Sequence, residues 1–442
     1  MERMELIQTA REYGIFGKSF HQGSLWERLL QPASILIINC AECEPLNRRD
    51  SLLLAHFARE ICKTGSIISE ALGVSEFFIG INESREKAVR CVQSEIDAFP
   101  NAGVILLKDL YPAGDEIELV FDCLGILVSP GKKPIDYGII VMGIETVLRF
   151  YQAIFNKAPV TSSFLSIIGE VETPVCCNVP FGTNIMELLE QKVRITADHP
   201  AILVGGVLFN RLTNGYEPVT ENTGCILILE ESHPLVQRMK VPLNIKLKRA
   251  MASCSQCESC TRLCPRYLLG YPVEPHKLMR AVSNSVTAEL EPFLNSRFCS
   301  SCGLCEYSSC PQGLSPVSMM FEFKKKLQIT KELPVSEHQI AVRDERIDRR
   351  ISGKKFSQKL GLSRYEKEIR LETNPFHPSK VKLALDRNRE VRFIAEPQEV
   401  VSCGQQIAFT IADSKSFPVF ATVNGVISEI DASGIIIQTQ EE

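Results

Sequence analysis

The sequence predicts a multidomain protein of mixed α/β and α+β architecture, with a cysteine-rich module and an all-β module toward its C-terminus. Three observations predict this. The 442 residues exceed what one domain usually holds. Short apolar runs alternate with helical segments near the N-terminus and then give way to closely spaced short strands. Eight cysteines are concentrated in two runs, at 254–264 and 299–310.

The first domain is predicted to span residues 1–158. Its apolar runs SILIIN (34–39), EFFIGI (76–81) and GVILLK (103–108) are typical of buried strands. Segments with helical periodicity separate these runs, and YGIIVMGIETVLRFYQAIF adds a further strand that leads into a helix. Because strand and helix alternate, we expect βαβ units and a parallel sheet.

Four further regions follow along the chain. Residues 159–245 contain short strands and one short helix, which predicts a small α+β module. Residues 246–330 hold both cysteine runs. Residues 331–378 are rich in charged side chains and predict a helical connector, whose basic residues indicate either a docking face or a solvated linker. Residues 379–442 return to short strands and predict a compact all-β module.

The two cysteine runs predict two [4Fe–4S] clusters. The first run, CSQCESCTRLCP, has the C-x2-C-x2-C-x3-C-P spacing of bacterial ferredoxins, and the second, CSSCGLCEYSSCP, has one extra residue before its last cysteine. Thiolates are the soft, anionic ligands that iron–sulfur clusters require. The predicted ligands are Cys254, Cys257, Cys260 and Cys264 in the first run, and Cys299, Cys302, Cys305 and Cys310 in the second.

In such a pair of runs the fourth cysteine of each serves the other cluster. We therefore expect Cys310 to join the first three cysteines of the first run, and Cys264 to join those of the second. A pair of zinc sites with four thiolates each is the alternative, and the terminal Cys-Pro pairs favour iron over it. Two neighbouring clusters form a short path for single electrons, and a flavin is a suitable converter at one end of such a path.

Composition limits the partners and the compartment. The net charge of −4 disfavours a nucleic-acid partner. No apolar stretch approaches about 18 residues, so no transmembrane segment is expected. The first residues are charged and lack the apolar core of a secretory signal. Seventeen cysteines without such a signal indicate a reducing, cytoplasmic compartment, where thiols serve metals or catalysis more often than disulfides.

A loop after the first predicted strand, INCAECEPLNRRD (38–50), lies where open α/β sheets bind ligands. The carboxylates of Glu42 and Glu44 could accept hydrogen bonds from a flavin, and an acidic surface loop is the alternative. The chain resembles RnfC-type electron-transfer proteins. The segments that carry the resemblance are this loop, YPAGDEIEL, ETPVCCNVPFGT, GGVLFNRL and the two cysteine runs. The chain is more closely similar to the PduS-type cobalamin reductases that are associated with bacterial microcompartments.

The resemblance covers nearly the full length and implies an order of domains. A Rossmann-type domain like the flavin subunit of respiratory complex I comes first, followed by a β-grasp SLBB module, a dicluster ferredoxin module and a barrel-sandwich module. The resemblance also implies electron transfer from NADH through FMN and two clusters to a corrinoid enzyme or another redox partner protein. Asn39, Glu42 and Glu44 match the family's flavin-proximal loop. A microcompartment location, with shell or lumen proteins as partners, is implied as well.

One stretch departs from the family pattern. The family has a loop G-x-G-G-A-G-F-P-T, whose glycines allow the backbone to approach the flavin and the nucleotide phosphates. Here the stretch YGIFGKSFHQGSL (13–25) keeps Gly14 and Gly17, while Lys18 and other larger residues replace the glycine core. Lys18 could pair with a phosphate, but the simpler interpretation is weakened or lost binding of FMN and NADH. The alternative function is therefore a non-enzymatic two-cluster electron relay or scaffold subunit.

Overall fold

The fold is described from a computed structural model, which covers residues 1–16, 25–42, 44–208, 211–283, 290–329, 340–385, 390–412, 415–431 and 433–440. The elements of the N-terminal region are α1 (Arg3–Glu12), α2 (Leu25–Leu30), β1 (Ile35–Asn39), α3 (Arg49–His56), α4 (Ala58–Leu72), β2 (Glu76–Asn82), α5 (Glu86–Ile96), β3 (Ala102–Leu107), β4 (Leu110–Tyr111), α6 (Glu116–Leu124), β5 (Ile139–Gly143) and α7 (Ile144–Asn156).

A four-stranded parallel sheet forms the centre of this region, in the order β3-β2-β1-β5. Its middle strand β1 is apolar on both faces, as a strand covered from both sides must be. Helix α4 buries one apolar face and ends at Gly73, which adopts the left-handed conformation (φ 67°) that closes a helix C-terminus. The predicted parallel α/β domain is confirmed.

A second, mixed sheet follows. Its elements are β6 (Ser162–Gly169), β7 (Val175–Pro180), α8 (Ile185–Lys192), β8 (Pro200–Val204), β9 (Arg211–Thr213), β10 (Cys225–Glu230) and α9 (Pro234–Lys240). The strands lie in the order β7-β6-β10-β8-β9, and β6 and β10 run parallel while the other pairs are antiparallel. This arrangement of strands around short helices is an α+β module.

The cysteine-rich region is built from short helices. They are α10 (Leu243–Ser253), α11 (Ser259–Arg262), α12 (Pro265–Leu268), α13 (Pro275–Ser283), α14 (Glu291–Leu294), α15 (Leu304–Tyr307) and α16 (Pro316–Ile329). Apolar side chains of this region, including Leu278 and Met320, share one core with Ile37 and Val141 of the parallel sheet. The cysteine-rich region therefore packs directly on one face of the N-terminal domain.

The charged segment after residue 339 differs from a simple helical connector. Its elements are α17 (Arg346–Arg349), β11 (Ile351–Ser352), α18 (Gly353–Lys359) and β12 (Arg370–Pro375). Strand β11 pairs with β4, and β12 joins β7 as the sixth strand of the mixed sheet. Sequence periodicity could not show these strands because both are short and pair with distant parts of the chain.

The C-terminal region contains only strands among its described elements. They are β13 (Lys380–Ala384), β14 (Glu390–Phe393), β15 (Val400–Val401), β16 (Gln406–Ala412), β17 (Lys415–Phe420), β18 (Gly425–Asp431) and β19 (Gly434–Thr439). They form a four-stranded and a three-stranded sheet around one apolar core. Phe417 stacks on Trp26, with ring centroids 5.1 Å apart, so this region packs on the N-terminal domain. In the described parts of the chain, no helix is long and apolar enough to cross a bilayer.

Candidate redox site

The two cysteine runs share an uncommon backbone shape. In each run the residues on either side of the second cysteine adopt the left-handed conformation. Gln256 (φ 56°) and Glu258 (φ 63°) flank Cys257, and Ser301 (φ 59°) and Gly303 (φ 79°) flank Cys302. Three of these residues carry a side chain, so their conformation costs free energy. The same local backbone turn therefore occurs at the second cysteine of each run.

The first group of thiols lies at the molecular surface. Four cysteines line one pocket that contains about 350 Å³ of space, together with His276 and Pro311. Cys257 is exposed, and the other three are half-buried. We call these residues the surface cysteine group: Cys254, Cys257, Cys260 and Cys310. It combines the first three cysteines of one run with the last cysteine of the other.

The second group lies in the interior. All four of its cysteines are buried. Burial raises the pKa of the Cys305 thiol well above its ordinary value, and repulsion from the neighbouring thiols, first those of Cys299 and Cys302 and then that of Cys264, raises it further. We call these residues the buried cysteine group: Cys264, Cys299, Cys302 and Cys305. The two groups adjoin, since Cys260 also acts on Cys305.

The chemistry of both groups fits iron–sulfur clusters. All eight thiols are free of disulfides. Burial, followed by the nearby thiols of Cys310, Cys254 and Cys257, raises the pKa of Cys260 to about 12. Several thiolates can share such a space only if a cationic centre compensates their charge, which iron does. Among the described residues, no three His, Cys, Asp or Glu side chains converge on a single metal ion, and the surface thiols instead surround a pocket.

Backbone amides also point at the sulfur atoms. The amide of Ser301 donates to Cys299 Sγ at 3.3 Å, and the amide of Leu314 donates to Cys310 Sγ at 3.3 Å. Hydrogen bonds to ligand sulfurs stabilise the charge that a cluster gains on reduction and so tune its potential. Both cysteine groups therefore have amide donors in place for their thiolates.

A loop of the N-terminal domain, residues 110–115, joins the sheet edge to the buried cysteine group. The Tyr111 hydroxyl donates to the Cys302 carbonyl at 2.7 Å. The Asp115 carboxylate pairs with the buried Arg266, two residues after Cys264, at 2.8 Å. The Asn39 amide donates to the Gly114 carbonyl at 3.0 Å. Sequence analysis missed Tyr111, Asp115 and Arg266, because only the fold shows that the YPAGDEIEL segment reaches the second cysteine run.

Asn39, Glu42 and Glu44 lie at the carboxyl end of β1 as predicted, but their side chains already have protein partners. Asn39 holds the loop at Gly114 and also accepts a hydrogen bond from the amide of Ala41. The Glu42 carboxylate pairs with Arg85 at 2.7 Å and with Arg48 at 3.1 Å. These contacts indicate that Asn39 and Glu42 shape the sheet edge.

Glu44 connects the two sheet domains. Its Oε2 accepts hydrogen bonds from the amides of Val207 and Leu208, at 2.7 and 3.0 Å. Gly206, with φ 132°, lies against the same carboxyl group, and an added Cβ would come within 3.0 Å of it. The GGVLFNRL segment thus needs glycine here because the Glu44 side chain approaches its backbone closely.

Of the altered glycine loop, only the first part can be described. Gly14 adopts φ 71°, and an added Cβ would lie 3.2 Å from the ring of Phe420. Glycine at this position therefore allows both the turn of the backbone and the close contact with the C-terminal region. Gly17 and Lys18 lie outside the described residues.

The sheet edge beside Asn39 has features that suit a phosphate-bearing, planar cofactor. Gly143 ends β5 next to Asn39 in the sheet register, and an added Cβ there would meet no atom within 4 Å. The guanidinium groups of Arg48 and Arg85 lie at the same edge, where both pair with the Glu42 carboxylate, and the Arg48 side chain is 33% exposed. Open space beside accessible positive charge fits FMN, whose phosphate is anionic.

We expect Glu44→Ala to lower the free energy of unfolding by about 1–3 kcal/mol, because two backbone amides lose a charged acceptor. Glu44→Gln should cost less, since its amide oxygen can still accept those bonds. Urea unfolding followed by tryptophan fluorescence, together with flavin content, would test this. If Glu44→Gln kept its stability but lost FMN, Glu44 would contact the cofactor directly and the structural role would be wrong.

Two family models match the chain. The Nuo51 FMN-binding domain matches residues 7–152, and the 4Fe-4S dicluster domain matches residues 253–315. Cobalamin reductase PduS of Salmonella typhimurium is 31% identical over 438 residues, which are 98% of this chain and 96% of that protein. Cobalamin reductase PduS of Citrobacter freundii is 30% identical over 438 residues, or 98% of this chain and 95% of that protein.

A more distant relative belongs to the ion-translocating oxidoreductase complex of Erwinia tasmaniensis, of which it is one subunit. It is 26% identical over 274 residues, which are 61% of this chain and 33% of that protein. The matches together confirm the resemblance that the sequence motifs indicated.

Proposed function

The chain belongs to the family of PduS cobalamin reductases and is an iron–sulfur electron-transfer oxidoreductase, and we propose that it carries electrons from NADH to a corrinoid or to the redox centre of a partner protein. When bound, FMN exchanges two electrons with a nicotinamide and single electrons with iron–sulfur clusters. The residues of this chain determine where these groups are held and how close together they lie.

The observation that carries the proposal is the placement of the two cysteine groups. The buried cysteine group lies against the N-terminal domain, and one loop, residues 110–115, reaches both Asn39 at the sheet edge and Cys302 in this group. The surface cysteine group adjoins it and opens to solvent at Cys257. A path from the sheet edge to the surface therefore runs through the buried group first.

We assign the cluster ligands by group. Cys264, Cys299, Cys302 and Cys305 hold the inner cluster, and the surface cysteine group holds the outer one. At the sheet edge, the open space at Gly143 and the cations of Arg48 and Arg85 would hold FMN, with Asn39, Glu42 and Glu44 fixing the loop beside it. Gly14 shapes the turn at the start of the altered loop, and contact of Gly17 and Lys18 with the cofactors stays a prediction.

The alternative, a relay without flavin, is less well supported. The FMN-binding family model matches residues 7–152, and this range includes the altered loop at 13–25. The domain therefore retains the family's overall pattern despite the lost glycines. Family membership also motivates a location in a bacterial microcompartment, with its shell or lumen proteins as neighbours and a corrinoid enzyme as acceptor.

Anaerobic purification followed by analysis of iron, sulfide and acid-released flavin tests the proposal. We expect about eight irons per chain, four for each cluster, and one FMN. Addition of NADH should then bleach the visible charge-transfer absorption of the clusters. A chain with eight irons that binds no FMN, even after incubation with it, would contradict the reductase and support the relay. A chain that contained zinc in place of iron would contradict both.

A further inference from the structure

A second pocket adjoins the surface cysteine group. It contains about 270 Å³ of space and is lined by Arg238, Lys246, Arg249 and the segment 313–315. Leu314 lines both this pocket and that of the surface cysteine group. A pocket with three cationic side chains therefore shares a wall with the proposed outer cluster.

Helix α10 forms the rim of this second pocket and is largely exposed. Ala250 is its one buried residue. Lys248 and Arg249 are exposed, and neither has an ion-pair partner within the described part of the chain. Ile245 and Met251 are 36% and 53% exposed, and both point away from the side of the helix that buries Ala250. We call Ile245, Lys248, Arg249 and Met251 the α10 face.

The positive charge is local to this side of the cysteine pocket. Around His276, which lines the cysteine pocket, Glu258 pairs with Arg262 and Glu274 pairs with Lys277, so their charges largely cancel. The whole chain carries a net charge of −4. A cationic, partly apolar helix is not expected from the average surface composition of a protein with a net negative charge, so it indicates a binding surface.

We propose that the α10 face is the docking site for a redox protein with an acidic surface, and that docking there places this protein over the surface cysteine group. This inference rests on the proposed function. The eleven residues of helix extend about 16 Å, a length that the surface of a protein partner can cover, and its exposed cations require acidic groups on that partner. Cations beside a redox centre steer an acidic partner and fix its orientation, and exposed Ile245 and Met251 supply apolar contact.

The test uses the purified full chain with its clusters reduced by dithionite, which bypasses NADH and FMN. Three electron acceptors serve as probes. Plastocyanin is an acidic protein, cytochrome c is a basic protein, and aquocobalamin is a small molecule. We expect Lys248→Glu/Arg249→Glu to slow the reduction of plastocyanin about tenfold at low ionic strength and to weaken its binding in calorimetry. High salt should remove most of this difference. Reduction of cytochrome c should become faster, and that of aquocobalamin should not change.

Lys87→Glu/Lys132→Glu is the matched control, because it makes the same change of charge at exposed positions of the N-terminal domain. Equal effects of both double variants would show that only net charge matters, and no effect of the α10 variant on plastocyanin would also overturn the proposal. An effect confined to aquocobalamin would indicate direct approach of a small acceptor. Iron analysis shows whether each variant keeps its clusters, and if the glutamate variant loses iron, Lys248→Gln/Arg249→Gln repeats the comparison. Absence of iron from the unaltered chain would contradict the proposed function itself, whereas an unchanged order of acceptor rates in an iron-replete variant would contradict only the role of the α10 face.

Discussion

The double variant Cys264→Ala/Cys305→Ala is expected to lose the inner cluster and to keep the outer one, although its two cysteines come from different runs. Both thiols belong to the buried cysteine group, in which burial and the neighbouring thiols raise the pKa of each. Removing two of four ligands leaves too few thiolates to hold the cluster. Iron analysis should fall from about eight to about four irons per chain, and NADH-driven reduction of aquocobalamin should be abolished.

The matched control removes the same number of thiols from one run. Cys260→Ala/Cys264→Ala takes one ligand from each cysteine group and should therefore damage both clusters. Electron paramagnetic resonance of the reduced variants distinguishes one intact cluster from two altered ones. If each run held its own cluster, the two double variants would exchange their outcomes, and the crossed assignment would be wrong.

The sequence was sufficient for the parallel sheet and for the family, for physical reasons. Apolar runs that alternate with amphipathic helices leave few arrangements other than βαβ units, and the sheet β3-β2-β1-β5 follows from them. Cysteine spacing is informative because few folds place four thiols two residues apart. Both signals are local, and they can be found without knowledge of the fold.

Side-chain partners could not be predicted in the same way. Glu42 and Glu44 follow a strand and look like ligand-binding carboxylates, but Arg85 and the amide of Val207 approach them only in the folded chain. The sequence shows the charge and not the group that neutralises it. The basic residues after position 339 illustrate this further, since neither a docking face nor a solvated linker describes Arg346 and Arg350.

These two arginines belong to a buried ionic network. Arg346 donates to Glu118 at 2.7 Å and to Asp122 at 2.8 Å, and Arg350 donates to Asp122 at 2.7 Å. The Glu118 side chain is 1% exposed. The network anchors α17 to α6, and the strand that follows, β11, pairs Ile351 with Tyr111. It therefore supports the loop that contacts Cys302.

We expect Glu118→Ala to lower the free energy of unfolding by about 3–5 kcal/mol, because the change leaves the buried Arg346 with less compensating charge. Glu86→Ala is the control. Glu86 forms an exposed pair with Arg90, with side chains 79% and 73% exposed, and its loss should cost less than about 0.5 kcal/mol. Urea unfolding of the holoprotein measures both values.

Hydrogen exchange distinguishes a local effect from general destabilisation. If the network anchors the charged segment, Glu118→Ala should speed exchange in residues 346–352 and 110–111 more than in the buried strand β1. A uniform increase across the chain would contradict the anchoring role. Tyr111→Phe removes only the hydroxyl that donates to Cys302, so it should leave exchange in residues 346–352 nearly unchanged. Faster loss of iron in both variants would then show that the network supports the inner cluster through this loop.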